Sequence, residues 1–541
     1  VVAGDKRFYI TTPIYYVNDS PHIGHAYTTI ACDAMARFKR LEGDDVKFLT
    51  GTDEHGQKVD KAAKAAGKDP LAFCNEVSQR FRALVKGGQN ILSVTNDDFI
   101  RTTEERHKIA CQDLWMRLKE KGFIYLDQYN GWYSVRDEAY YTEAELIEKD
   151  GKKVAPTGAE VEWVREESYF FQLSAFAGDL LKFYDENPDF ITPAHRLNEV
   201  KQFVKGGLQD LSISRTKFDW GVPVPERKGH VMYVWIDALT NYLTAVGYPN
   251  FDKGPYKEYW APADEAEQRE THPKYVRGRA VHVIGKDILR FHAVYWPAFL
   301  MAAELPLPKQ IVAHGWWTIE GEKMSKSLGN VLSPSEMTAK AGGIDQLRYF
   351  MLAAMPFGND GDFAQSRMVD MVNADLANNI GNLAQRTLSM IQKNCEGKVP
   401  GNKAKDKGDD VLAAAGYFTN YRAHMEAFEY QLATRAVVNY ANNANLYIDE
   451  MAPWKLKKEN PERMEAVLYA LAEAIRAIAI LLQPFCPGAA EKMLDQLMVP
   501  KTERGFEHLA PLYALKPGTL LPPPQGVFPR LETDNKGAKA S

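Results

Sequence analysis

The sequence predicts a doubly wound α/β sheet, split by an insertion and followed by an all-α bundle. Three observations carry that expectation. Apolar strand-length runs alternate with polar loops and helical stretches both early in the chain and again near residues 231–315. Between them lies a stretch of turns, aromatic clusters and charges. From about Asp362 onward, amphipathic helices follow one another without strands. At 541 residues the chain exceeds one ordinary core. The expected domains are 1–121 and 227–361 as two halves of the sheet domain, 122–226 as the insertion, and 362–541 as the bundle with a tail.

In chain order, Phe8 to Thr12 reads as a buried strand, and Gly24 to Leu41 as a helix with small and apolar residues on one side, stopped by Gly43. "VKFLTGTDEHG" repeats the pattern, with a strand at Val46 to Leu49 before polar residues and another helical stretch. In such sheets ligands sit beyond the carboxyl ends of the strands. The insertion carries "GWYSVRDEAYYTEAEL" and "EESYFFQLSAF", after which "YVWIDAL", "AVHVIGKDI" and "QIVAHGWW" restore the α/β signal. The bundle is read from "DLANNIGNLAQRTLSMIQ", "YQLATRAVVNYANNANLYIDEM" and "AVLYALAEAIRAIAILL". "EGKVPGNKAKDKGDD" reads as a solvated linker between two of its helices, and "LPPPQG" favours extended backbone.

Composition sets outer bounds. Hydrophobic residues make up 45% and charged residues 25%, near the globular average. The longest apolar run, "AIAILLQPF", is too short and interrupted to span a bilayer, so no membrane partner is expected. The 5 cysteines are scattered without a C-x-x-C pair, which argues against a disulfide framework or a thiolate zinc knuckle and fits a reducing compartment. The net charge of -5 does not by itself point to nucleic acid. "VVAGDKRF" lacks an initiator Met and an apolar signal region, and reads as a trimmed or processed end.

Two motifs carry chemistry. "SPHIGHA" sets His22 and His25 on either side of Gly24, at the first turn of a helix that follows a strand. Such a terminus presents unpaired N–H groups and positive dipole to an anion. Two imidazoles add donors for phosphate oxygens, and glycine lets a flat base approach the backbone. No G-x-x-x-x-G-K-[ST] is present, which disfavours a P-loop ATPase. The second motif, "GEKMSKSLGN", places Lys323 and Lys326 among serines and glycines after the strand "QIVAHG". It suits a cationic loop that meets charge developing on a triphosphate.

With HIGH and KMSKS in place, the chain resembles the class I aminoacyl-tRNA synthetases, over nearly its whole length. The resemblance implies a split Rossmann-type catalytic domain with a connective insertion and an anticodon-binding helical bundle. The insertion is too short for the editing domain of the leucine, isoleucine and valine members, and the cysteine member's zinc ligands are missing. "ITTPIYYVNDSPHIGH", "GTDEHGQK", "YVWIDALTNY", "GKDILRFH" and "APW" occur in the order of the methionine branch. By that resemblance the substrates are L-methionine, ATP with Mg2+, and tRNA(Met), and His22, His25, Lys323 and Lys326 are the catalytic groups. ATP contacts are implied for Asn18, His22, Gly24, His25, Gly285, Asp287, Lys323 and Lys326.

The same resemblance gives Asp53 to the methionine ammonium and Ile14 to backbone contacts. It places Tyr16, Trp235, Ala238, Leu239, Tyr242, Ile288 and His292 around the thioether. That set agrees with the chemistry, since a polarizable sulfur chain suits aromatic and apolar walls. Taken without the family, Asp53, Glu54 and His55 could simply cap the next helix, and Trp235, Tyr242 and His292 could be ordinary core residues. Many methionine-branch members carry cysteine-ligated zinc in the insertion. "GWYSVRDEAYYTEAEL" contains no cysteine, so no structural zinc is expected. In the bundle, the resemblance makes Asn382, Arg386 and Trp454 candidates for reading the CAU anticodon, by amide, guanidinium and stacking contacts. A monomer serving the cytoplasm, or an organelle, is expected. A small-molecule nucleotidyltransferase also carries H-x-G-H, but the long helical C-terminus and the full KMSKS count against it. A noncatalytic paralogue would be expected to have lost signature residues.

Overall fold

The computed structural model describes residues 6–18, 20–251, 254–262, 265, 268, 274–319 and 332–532. It divides into two compact units that do not follow chain order. The first contains 1–21, 47–90 and 96–314; the second contains 22–46, 91–95 and 315–541.

The first unit is built on a 7-stranded sheet in the order Ile191–Thr192, Gln310–His314, Ala280–Gly285, Arg7–Thr11, Asp45–Asp53 and Tyr15–Tyr16, with Asp98–Arg101 also pairing to Asp45–Asp53. The neighbours Arg7–Thr11 and Ala280–Gly285 run parallel, as do Ala280–Gly285 and Gln310–His314, so the two expected half-sheets are one sheet. The central strands are apolar on both faces, as parallel strands covered on both sides must be. The expected strand at Val46 to Leu49 extends to Asp53, which carries that carboxylate to the strand's C-terminal end.

The expected insertion 122–226 holds an antiparallel sheet, but the sheet domain resumes inside that range: strand Ile191–Thr192 pairs in parallel with Gln310–His314, and helices Ala177–Glu186 and Ala194–Lys205 flank it. Strands Ile124–Ser134 and Glu162–Phe171 pair from Ile124 with Phe171 through Tyr133 with Glu162, flanked by Leu211–Ser212 and Ala139–Tyr141. Cross-strand aromatic pairs hold it: Trp132 meets Trp163 edge-on at 5.3 Å, and Tyr140 lies 4.6 Å from Tyr129 and 5.0 Å from Tyr133.

The second unit joins the helix Ile23–Leu41 to the C-terminal helices. Between them lies a buried ion pair of Asp33 and Arg348 at 2.7 Å. Arg348 also donates to the carbonyls of Leu92 (3.1 Å), Pro484 (2.8 Å) and Phe485 (3.2 Å). Asp33 accepts from Arg37 and from the backbone and hydroxyl of Thr95. A buried charge pair is tolerable only when its remaining donors and acceptors are satisfied in this way. The bundle includes Asn382–Asn394, Ala414–Glu426, Tyr430–Met451, Pro461–Leu482 and Pro487–Gln496. The expected solvated linker is instead anchored. Asp409 is buried, accepts from Arg463 at 2.5 and 2.8 Å, and receives the Tyr447 hydroxyl at 2.5 Å. Composition favoured solvent, but one aspartate finds a partner on a helix far along the chain.

Candidate active site

Helix Val234–Thr244 sets Trp235, Ala238, Leu239 and Tyr242 at i, i+3, i+4 and i+7, which is one face, and all are buried. Trp235 stacks flat on Phe291, with ring centres 3.8 Å apart and planes 6° from parallel. Ile14, Tyr16 and Ile288 pack, half-buried, against the same apolar core. The buried His292 donates from Nδ1 to the Ile288 carbonyl at 3.0 Å. Burial lowers its pKa to about 4, and the Ile288 carbonyl opposes this only in part, so the ring is neutral. Its Nε2 must then accept, and the Tyr242 hydroxyl donates to it at 2.7 Å. The structure thus gathers the sequence-predicted thioether residues of both chain halves in one apolar region.

Asp53 ends its strand, paired in register with Tyr16 of this region. Among the described residues, its Oδ1, the Tyr16 hydroxyl and the Trp235 indole N–H are buried without a protein partner. Unpaired buried polar atoms are costly, so a cluster of them marks a ligand position. Burial, with the Asp237 and Glu138 carboxylates adding, pushes the Asp53 carboxyl well above the usual range. A cation beside it would restore the ionised form.

The two residues after Asp53 do not cap the next helix, whose N-cap is Gly56. Glu54 is held by Arg101 through bonds of 2.7 and 2.9 Å and by the Thr103 hydroxyl at 2.5 Å. His55 Nδ1 bonds Asp237 Oδ2 at 2.7 Å, and His107 Nε2 bonds Asp237 Oδ1 at 2.7 Å. Asp237 therefore ties helix Val234–Thr244 to the loop after Asp53 and to helix Glu105–Glu120. Burial alone would raise its carboxyl pKa, but the His55 charge and the bonds from both histidines outweigh it and bring the value to about 2.

Sequence reasoning did not single out Asp237, although an acid inside the apolar run "YVWIDAL" is a visible anomaly. Nor did it find Arg215, whose guanidinium covers the Tyr133 ring at 4.1 Å and whose Nη1 is buried without a partner among the described residues. His107, Cys111 and Asp237 also form a grouping of metal-capable side chains. The 2.7 Å between His107 and Asp237 is a hydrogen bond; tetrahedral zinc would hold its N and O ligands about 3.3 Å apart.

The predicted nucleotide residues are distributed over both units. In the first, Asn18 sits in the turn after Tyr15–Tyr16, Gly285 ends its strand, and Asp287 is exposed just beyond it. A β-carbon on Gly285 would lie 2.5 Å from Asp287 Oδ1, so the glycine is what lets this carboxylate fold back. In the second unit, His22 and His25 cap their own helix. His22 Nδ1 accepts the Gly24 N–H at 3.0 Å, and His25 Nδ1 accepts the His22 N–H at 3.1 Å. Each neutral ring then carries its proton on Nε2, where it can only donate. Gly24 has a steric duty, since a β-carbon there would meet the His22 ring at 3.0 Å. Lys323 and Lys326 lie outside the described residues.

In the bundle, Arg386 lies 6.0 Å from the Trp454 ring and pairs with Asp449 at 2.8 Å. Asn382 is exposed one turn before it on the same helix, and Trp454 is 45% exposed. The three predicted residues thus belong to one helical surface.

A split parallel sheet bearing an ammonium-ready carboxylate beside an apolar wall, in a chain with HIGH and KMSKS, defines a class of nucleotide-dependent ligase. The family model described as tRNA synthetases class I (M) matches residues 8–388, and the chain belongs to that family. A second model, the anticodon binding domain of methionyl tRNA ligase, matches residues 398–540. The chain is 53% identical to the methionine–tRNA ligase of Rickettsia felis, over 98% of this chain and 99% of that one. It is 50% identical to the Mesorhizobium japonicum methionine–tRNA ligase, over 99% of each. The solved Mycobacterium tuberculosis methionyl-tRNA synthetase in complex with methionyl-adenylate is 48% identical, with a TM-score of 0.90 over 97% of this chain and 100% of that one.

Proposed function

We propose that this chain is a methionine–tRNA ligase, which activates methionine with ATP and transfers it to the 3′-terminal adenosine of tRNA(Met). The observation that carries the reading is the unpartnered Asp53 Oδ1, in register with Tyr16, which packs on the same apolar core as Trp235, Ala238, Leu239 and Tyr242. An ammonium satisfies the first and an unbranched thioether fills the second, with Tyr16, Ile14, Ile288 and His292 completing the wall.

In the first step, a methionine carboxylate oxygen attacks the α-phosphorus of ATP. The new P–O bond is the mixed anhydride, and pyrophosphate leaves with the electrons of the broken P–O bond. In the second, the terminal 2′-hydroxyl attacks the anhydride carbonyl and releases AMP. Neither step requires a protein nucleophile. His22 and His25, each with its proton on Nε2, donate to phosphoryl oxygens as charge builds, and Lys323 and Lys326 supply cationic charge. Asn18, Gly24, Gly285 and Asp287 position the nucleotide, with the Asp287 carboxylate accepting from ribose hydroxyls. Mg2+ bound to the triphosphate would supply further neutralisation of its charge beside His22, His25, Lys323 and Lys326. Asn382, Arg386 and Trp454 read the anticodon. The functional divisions are 1–121, 122–226, 227–361 and 362–541, without structural zinc, in a monomer serving the cytoplasm.

The test is amino-acid-dependent ATP–pyrophosphate exchange with methionine against leucine, isoleucine, valine, cysteine and homocysteine. Methionine should exceed the others. Folded, ATP-binding protein that exchanges with none of them would remove the reading.

A further inference from the structure

Glu138 belongs to the insertion, in the turn between strands Ile124–Ser134 and Ala139–Tyr141, yet it is only 1% exposed. Its Oε1 accepts the backbone N–H of Lys58 at 2.8 Å, and its other carboxylate oxygen accepts the Tyr133 hydroxyl. Its own carbonyl accepts the Tyr233 hydroxyl at 2.6 Å. These partners come from three places. Lys58 lies in the first turn of the helix that follows Asp53. Tyr133 is part of the insertion. Tyr233 is the N-cap of helix Val234–Thr244, whose face carries Trp235, Ala238, Leu239 and Tyr242.

Two features show how closely this junction is fitted. Glu138 has φ +49°, in the left-handed region that residues with a β-carbon occupy only when their surroundings hold them there. Gly56, two residues before Lys58, has φ +99°, and a β-carbon on it would lie 3.0 Å from Glu138 Oε1. Lys58 in turn holds its ammonium 4.6 Å over the ring of Tyr16, one of the residues with an unpartnered buried atom.

We infer that Glu138 is a positioning residue for the methionine site. By gripping the Lys58 N–H and the Tyr233 hydroxyl together, it sets the spacing between the segment carrying Asp53 and the helix that forms the thioether wall. The insertion thereby becomes part of the amino-acid site. This inference rests on the methionine reading above. It requires an acceptor oxygen at the reach of a glutamate side chain, whereas a negative charge as such is not needed.

Three variants separate reach from charge in methionine-dependent exchange on the full chain. Glu138→Ala loses the acceptor. Glu138→Asp keeps the charge and tolerates the left-handed backbone, but is one methylene short of Lys58. Both should raise the KM for methionine about tenfold and leave the KM for ATP within about twofold. Glu138→Gln presents a carbonyl oxygen at the original reach and should bring the KM for methionine back to within about threefold of the parent. Thermal unfolding of each variant checks folding, and if the alanine variant does not fold, the aspartate and glutamine pair decides alone. Equal methionine KM in the aspartate and glutamine variants, or a parallel rise in the KM for ATP, overturns the inference. A parent enzyme that exchanges normally alongside an unresponsive Glu138 series removes Glu138 only. A parent that does not exchange with methionine removes the functional reading as well.

Discussion

The proposed methionine site and the proposed anticodon surface at Asn382, Arg386 and Trp454 are prepared for their ligands in opposite ways. At the first, the Asp53 Oδ1, Tyr16 hydroxyl and Trp235 N–H are buried without protein partners among the described residues, so a ligand adds bonds without breaking any of these. At the second, Arg386 already pairs with Asp449, with side-chain exposures of 35% and 59%. A base that takes the guanidinium must compete with that pair. Exposed pairs contribute only about 0–1 kcal/mol, so the competition is mild. A buried site can therefore select through unmet hydrogen bonds, while an exposed one must depend on stacking and on many modest contacts.

The contrast is strongest at Asp53. Asp53→Asn should lower kcat/KM for methionine in the exchange assay by about 10³-fold and leave the KM for ATP unchanged, because it removes the charged partner of a desolvated cation. A loss below about tenfold would mean that the ammonium is held elsewhere.

His292 tests burial by pH. Its folded pKa of about 4 lies below the ordinary histidine value near 6.5, so the unfolded chain binds more protons between those limits. The His292 contribution to stability should be fully present above about pH 6.5 and be lost, by about 3 kcal/mol, as pH falls toward 4, with the buried His282 adding a loss of the same sign. Denaturant unfolding of the parent and of His292→Gln across that range should show a flatter profile in the variant. Parallel profiles would place the titration on another group.

On the exposed surface the effects should be smaller. Trp454→Ala should weaken aminoacylation about tenfold through the tRNA KM, with exchange near normal. Equal losses in both assays would make Trp454 a structural residue. Asp449→Ala should change the tRNA KM by no more than about threefold, and a larger effect would show that the ion pair organises the surface.

Much of the candidate site was legible in the sequence. Trp235, Ala238, Leu239, Tyr242 and Asp53 were picked out by the family resemblance, and the structure sets the first four on one helix face and carries the expected Val46–Leu49 strand on to Asp53. His22 and His25 were recognisable at a helix start, although their mutual capping became visible only with coordinates. The anchoring of Asp409 was hidden by a composition that resembles a linker. Glu138 lies in a turn with no periodicity to mark it, and its partner Tyr233 stands 95 residues away.

The sequence by itself determined the alternation of strand and helix in the sheet domain, the helical run towards the C-terminus and the signature residues, because hydrophobic period and turn chemistry act over a few neighbouring residues. The long paired strands of the insertion became visible only in the structure. The tertiary structure alone decided that Asp237 clamps His55 across 182 residues and His107 across 130, and that Arg348 binds helix Ile23–Leu41 to the C-terminal bundle. A buried charge needs a partner wherever the chain can bring one, and local sequence does not specify which distant segment will supply it.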